Sequence, residues 1–204
     1  MKIALTGGVA CGKSYVARRM LKKFPDGGAA SYNCDAEVGE LLKDRDILDE
    51  ISKLSGAPDN ILNGEGELNR EVLRKVSFEN SEFRERLEGL LHPLVLKRAV
   101  SFASGLPGSV QVLIWEVPLL YEVDFPVPRD LDLVVAASEE TQLERIFRDR
   151  GIDKPLGRKI IESQLPINEK VARCDIVIWN DGDLKALHSQ IDHLVSRCRN
   201  LFDT

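Results

Sequence analysis

Apolar residues recur along the chain in two alternating rhythms. Short runs that are apolar at nearly every position read as strands covered on both faces. These are Ile3-Ala4-Leu5, residues 110–115 (Val-Gln-Val-Leu-Ile-Trp), residues 131–137 and residues 175–180. A fifth, weaker run is Ala29-Ala30-Ser31-Tyr32-Asn33. Between them, apolar positions recur three or four residues apart, the period of an amphipathic helix. Such spacing covers residues 13–23, 37–54 (Val38, Leu41, Leu42, Ile47, Leu48, Ile51), a stretch from Leu68 (Val72, Leu73, Val76), 81–102 (Phe83, Leu87, Leu90, Leu91, Leu94, Val95), 139–150, 164–173 and 184–201. Pro25 and Gly27-Gly28 end the first helix, and residues 55–66 are a loop rich in Gly, Pro, Asn and Asp. Pro93 inside the long helix predicts a kink. Strands alternating with helices predict an α/β fold: a three-layer α/β/α core around a five-stranded parallel sheet.

The helical block between the second and third strands is longer than a simple crossover needs. It is read as an insert over residues 36–105 that holds a substrate. The core then comprises residues 1–35, 106–150 and 167–204. Residues 151–166, with two prolines and two glycines, fit a mobile lid.

Length and composition bound the class. The 204 residues, 43% apolar and 30% charged, suit one domain with a large core and subdomains. No apolar run approaches the ~20 residues of a membrane span, and Lys2 followed by a strand is unlike a signal peptide. A cytoplasmic protein, monomeric or a weak homo-oligomer, is expected. Four dispersed cysteines without a C-x-x-C pair point to reduced thiols. A net charge of −5 weighs against generic nucleic-acid binding. The charge is uneven, however: between Arg145 and Arg173 eight basic residues face four acids, leaving +4 there and −9 elsewhere. A basic segment in an acidic protein suggests contact with a polyphosphate, although part of it fits a solvated helix face.

The chemistry starts at Gly7-x-x-x-x-Gly12-Lys13-Ser14, directly after the first strand and opening a helix. This is the phosphate-binding loop spacing. Its glycines let backbone N–H groups turn toward phosphate oxygens, at the positive end of the following helix. Lys13 can reach the β- and γ-phosphates and the Ser14 hydroxyl can ligate Mg²⁺. Asp35 follows the second strand, on the sheet edge where ligands bind in such folds. There it can act as general base toward an acceptor hydroxyl, or cap a helix, or both. Glu116, at the end of the third strand, stands where a second metal-binding carboxylate would sit. Arg70 and Arg74 are possible anion contacts. His92 could touch substrate or serve as a partly buried structural histidine. Trp115 and Trp179 end strands and read as core residues more readily than as adenine stackers. Arg145 and Arg148, three apart on one helix, could gather with the lid over the transferred phosphoryl group and exclude water. Together these features point to a small-molecule kinase.

The chain resembles the dephospho-coenzyme A kinase family essentially end to end. The resemblance rests on residues 5–14 (Leu-Thr-Gly-Gly-Val-Ala-Cys-Gly-Lys-Ser), Asp35-Ala36-Glu37, Leu68-Asn69-Arg70, Leu90-Leu91-His92-Pro93 and residues 117–122 (Val-Pro-Leu-Leu-Tyr-Glu). Gln142-Leu143-Glu144-Arg145, Gln164, Lys170 and residues 175–182 (Asp-Ile-Val-Ile-Trp-Asn-Asp-Gly) extend it. It implies transfer of the γ-phosphoryl group of ATP to the ribose 3′-hydroxyl of dephospho-coenzyme A, giving coenzyme A and ADP, with Mg²⁺. The site it implies has ATP on Gly7, Gly8, Ala10, Cys11, Gly12, Lys13, Ser14, Tyr15, Asn180 and Gly182. The acceptor lies on Asp35, Arg70, His92 and Leu119, and the metal on Ser14 and Glu116. Catalysis falls to Asp35, Lys13, Arg145 and Arg148, without membrane or nucleic-acid partners. The chain departs from the family at Ala10-Cys11, usually Gly-Ser, at Tyr15, commonly Thr, at Glu37, usually Asp, and at Glu40-Leu41, where a basic residue is usual. An Asp is common at Glu116. Whether Cys11 makes the loop sensitive to oxidation is left open. Two rivals differ in class: another P-loop kinase with a different acceptor, and a GTPase-like switch. The second lacks its Asn-Lys-x-Asp stretch, since the fifth strand ends in Asn180-Asp181-Gly182-Asp183.

Overall fold

The computed structural model describes residues 1–24, 27–123 and 125–200. Pro25, expected to end the first helix, and Leu201, the expected end of the last one, lie outside them. Strands β1 (Lys2–Gly7), β2 (Ala29–Asn33), β3 (Val112–Glu116), β4 (Leu131–Ala136) and β5 (Ile176–Trp179) form one sheet in the order β2-β3-β1-β4-β5. All four pairings are parallel. The register aligns Leu5 and Asn33 with Glu116, Gly7 with Val135, and Ala136 with Trp179. The carboxyl ends of the strands therefore form one edge.

Contacts divide the chain into two compact units: Met1–Asn33 with Phe102–Thr204, and Cys34–Ser101. The first holds the sheet. Helices α1 (Lys13–Lys22) and α9 (Leu184–Asn200) supply Val16, Ala17, Met20, Leu187, Ile191, Leu194 and Val195 to a core with Ile3, Leu5, Ile114, Leu133 and Val135. Strands β1 and β3 are buried on both faces, which is why they read as continuous apolar runs. Trp115 is fully buried, whereas Trp179 is 47% exposed and its indole N–H donates to Asp181. Trp179 is thus not the core residue expected.

Helix α6 (Glu139–Arg150) has the predicted bounds. Ser138 caps its start by accepting from the Thr141 amide, and Gly151, at a φ of 66°, ends it. Residues 151–166 are not an open loop. They hold helix α7 (Lys154–Glu162), capped by Asp153 and packed through Gly157 against Leu143 and Ile146 of α6. Helix α8 (Ile167–Arg173) starts three residues later than its spacing suggested and contacts β4. Pro166 at its N-cap sets that start.

The second unit is helical. The single helix expected over 37–54 is two, α2 (Cys34–Leu41) and α3 (Arg45–Ser52). Asp44 divides them, because its side chain accepts from the Asp46 amide at 3.0 Å and nucleates a new first turn. Helices α4 (Arg70–Glu79) and α5 (Ser81–Ser104) follow, the last three residues of α5 belonging to the first unit. Helix α5 runs through Pro93 as one element of 24 residues. Its buried stripe, Leu87, Leu91, Val95 and Ala99, repeats every four residues across the proline and keeps both halves on one face.

Candidate active site

The loop after β1 is shaped by close backbone approach. Gly7 has a φ of +143°, and a Cβ on it would lie 2.1 Å from the Val135 carbonyl oxygen on β4. Gly12 caps α1 at a φ of +95°, and a Cβ there would lie 2.6 Å from Asn180 Nδ2. Only glycine fits either position. Asn180, buried just past β5, donates Nδ2 to the Cys11 carbonyl at 2.8 Å. Arg145 on α6 donates to the Ala10 carbonyl at 3.2 Å and to the Asn180 carbonyl at 2.8 Å. With those carbonyls tied down, the loop presents to an anion the amides at the positive start of α1. Lys13 Nζ lies over the loop, donating to the carbonyls of Gly7 at 3.0 Å and Gly8 at 2.9 Å.

Ala10 and Cys11 can now be explained separately. Ala10 is the non-glycine residue with a positive φ among the described residues, at 57°. A side chain costs ~1–2 kcal/mol in that region. Ala10→Gly relieves this strain but loosens the unfolded chain. The net expectation is a stabilisation of about 0.5–1 kcal/mol, measured by urea denaturation. The Cys11 side chain is fully buried in the sheet core. Burial pushes its thiol above the ordinary value, and the Lys13 charge opposes this only in part. Burial and a raised pKa both lower a thiol's reactivity toward oxidants.

The metal candidates converge. Ser14 and Asn33 both hydrogen-bond the Glu116 carboxylate, Asn33 Nδ2 donating at 3.1 Å. Glu116 is only 7% exposed. Burial raises its pKa above the usual carboxylate range, against the hydrogen bonds and the charge of Arg18. Between the ordinary and the raised value the native state holds more protons than the unfolded chain, so this group's contribution to stability falls as pH rises. A divalent cation beside the carboxylate would offset the cost of its buried charge. No cluster of three or more His, Cys, Asp or Glu capable of holding a metal occurs among the described residues. One carboxylate and one hydroxyl instead fit Mg²⁺, which keeps several waters and takes phosphate oxygens as ligands.

The other expected residues lie on several elements. Asp35 lies in the first turn of α2, immediately past β2. Tyr15, on α1, pairs its hydroxyl with His188 Nε2 at 2.6 Å. Gly182 is exposed in the turn after β5, and Leu119 is half-buried in the turn after β3. Arg70 is the first residue of α4, capped by Asn69. His92 is exposed on α5 rather than partly buried. Arg148 pairs with Asp149 and Arg158 with Glu139, so of the basic cluster it is Arg145 that touches the loop. Asn33 and Gln164 escaped assignment. Gln164 Oε1 accepts from the Val9 amide at 2.9 Å.

A family model described as dephospho-CoA kinase matches residues 1–186. The chain belongs to the dephospho-CoA kinase family. It is a kinase that uses ATP to phosphorylate dephospho-coenzyme A, the last step of coenzyme A biosynthesis. Similar proteins include a dephospho-CoA kinase of Fusobacterium nucleatum, 34% identical over 94% of this chain and 95% of the relative. One of Methylococcus capsulatus is 35% identical over 96% and 95%. A crystal structure of TT1252 from Thermus thermophilus superposes with a TM-score of 0.79 at 25% identity, covering 97% of both chains. No helix among the described residues is long and apolar enough to cross a membrane.

Proposed function

We propose that the chain transfers the γ-phosphoryl group of ATP to the ribose 3′-hydroxyl of dephospho-coenzyme A, with the triphosphate on the loop of residues 7–14. The observation that carries this assignment is the loop itself: glycines at van der Waals limits, carbonyls held by Asn180 and Arg145, and Lys13 poised over the chain. Lys13 and the amides of α1 neutralise the β- and γ-phosphates as charge shifts to the leaving oxygen. Ser14 and Glu116 would hold Mg²⁺, which would supply positive charge to offset that of the phosphates. Asp35 takes the proton of the attacking hydroxyl. Arg145 adds positive charge beside the loop, and Arg148 is a second guanidinium on the same helix. Residues 151–166 serve as the lid. Tyr15, Asn180 and Gly182 border the nucleotide. ATP as donor suits the cytoplasm as the place of action.

For the acceptor we assign the helical unit, with Arg70 and His92 as contacts, and Leu119 in the turn after β3. Within that unit a cavity of about 390 Å³ is lined by Leu42, Lys43, Arg45, Leu48, Leu68 and Arg70, together with Glu65 and Glu67. Cations beside leucines suit a molecule that carries a diphosphate next to an apolar arm. Arg70→Ala is expected to raise KM for dephospho-coenzyme A ~10-fold, the worth of one charge-assisted hydrogen bond, with KM for ATP unchanged. Equal KM values for wild type and variant remove Arg70 from the acceptor site.

The deciding experiment is an acceptor screen by ADP release, with the product identified by mass. Coenzyme A is expected from dephospho-coenzyme A. Phosphorylation of a nucleoside with none on dephospho-coenzyme A sinks the assignment. In the same assay Asp35→Asn should lower kcat ~10²-fold, the scale of general-base catalysis, while ATP binding is kept. Near-normal turnover excludes Asp35 as the base.

A further inference from the structure

A chain of hydrogen bonds joins the turn after α7 to two parts of the nucleotide site. Gln164 Oε1 accepts from the Val9 amide, inside the phosphate loop, at 2.9 Å. The next amide, of Leu165, donates to Glu122 Oε1 at 2.9 Å. The same carboxylate oxygen receives Lys170 Nζ at 2.7 Å. Lys170 also donates to the Pro118 carbonyl at 3.0 Å, an oxygen that accepts from the Thr6 hydroxyl at 3.1 Å. Lys170 is fully buried, a rare state for lysine that requires a partner. Glu122 reaches solvent while Lys170 does not, and such a pair supplies a fixed geometry more than net stability over an apolar replacement. Here it fixes the segment following Glu116 against the turn that ends α7.

We infer that Gln164 is a positioning residue for phosphoryl transfer. It latches the end of the lid onto the tip of the phosphate loop, and the Lys170–Glu122 pair is the anchor that holds the latch in place. Val9 stands between Gly8 and the left-handed Ala10, so fixing its amide fixes the conformation of the loop tip. The latch also sets how near the basic helix α7, with Lys154, Arg158 and Lys159, stays to the nucleotide. A lid end held to the loop keeps water from the γ-phosphorus. When the latch is open, a water oxygen bonds the γ-phosphorus in place of the ribose hydroxyl. The bridging oxygen then leaves with ADP, and the proton passes to solvent.

The inference rests on residues 7–14 being the ATP site, and the experiment separates the two. Wild type, Gln164→Met and Gln164→Ala are assayed with Mg²⁺, ATP and dephospho-coenzyme A, each well below its melting temperature. ADP and coenzyme A are counted separately. Methionine keeps the length of the side chain and removes the accepting oxygen. Wild type should give one ADP per coenzyme A. Both variants should lose ~10-fold in kcat, a modest misplacement of reacting groups. KM for dephospho-coenzyme A should be unchanged, and more than one ADP should form per coenzyme A. A one-to-one ratio in Gln164→Met overturns the latch, whatever happens to kcat, because a residue that only supports the fold lowers both products together. A wild type that makes no coenzyme A instead fails the assignment of the site.

Discussion

Gly7→Ala should destabilise the sheet-bearing unit by more than about 3 kcal/mol. The added Cβ would lie 2.1 Å from the Val135 oxygen, 3.0 Å from its carbonyl carbon and 3.1 Å from its nitrogen. All three are backbone atoms of β4, the neighbour of β1 in the middle of the sheet. No rotamer change moves them, so β1 and β4 must separate where Gly7 pairs with Val135. The φ of +143° adds backbone strain on top of the clash. Against a total stability of ~5–15 kcal/mol, such a loss is a large fraction. Urea denaturation measures it, and a variant within 1 kcal/mol of wild type would falsify the close approach described for β1 and β4.

Lys13→Ala should lower kcat by about 10³-fold, at the upper end of what losing one preorganised donor to a developing charge costs. The substitution also removes the two hydrogen bonds to the Gly7 and Gly8 carbonyls. Stability should fall as well, by ~1 kcal/mol or more, because Gly7 and Gly8 are buried and lose this donor. Lys13→Arg should recover only a small part of the rate. A guanidinium is planar and wider than an ammonium, and the lysine acts here as a compact point charge. Single-turnover kinetics with nucleotide titration separate the effects on chemistry and binding. Wild-type rates in Lys13→Ala would remove the loop from the reaction.

How far the sequence could be read depended on whether local chemistry or long-range packing set each feature. Helix α6 was legible to the residue because Ser138 and Gly151 mark both its ends within a few positions. The loop between β1 and α1 was legible because the glycines that shape it, Gly7 and Gly12, stand close together in the chain. The split at Asp44 was missed because the apolar spacing continues across it, and only the cap geometry breaks the helix. Residues 151–166 read as a mobile lid from their prolines and glycines. Yet Pro155 sits in the first turn of α7, where its missing N–H costs nothing, and Gly157 allows close packing on α6. Lys170 counted as one more charge in a basic stretch, because nothing adjacent to it shows that Glu122 and Pro118 enclose it. Arg148 and Arg145 looked equivalent in sequence. Only the positions of Asn180 and Ala10 distinguish them.

Asn180 and Arg145 also make the phosphate loop a late product of translation. The loop is encoded in the first fourteen residues, but the groups that hold its carbonyls stand 135 and 169 positions downstream. A nascent chain carrying residues 7–14 has the glycines and the lysine but no fixed cradle. At ~5–20 residues per second, roughly ten to thirty seconds pass before residue 180 is made. Until then the growing chain should not retain ATP, so nucleotide cannot template the early stages of its folding and can stabilise only the nearly finished sheet.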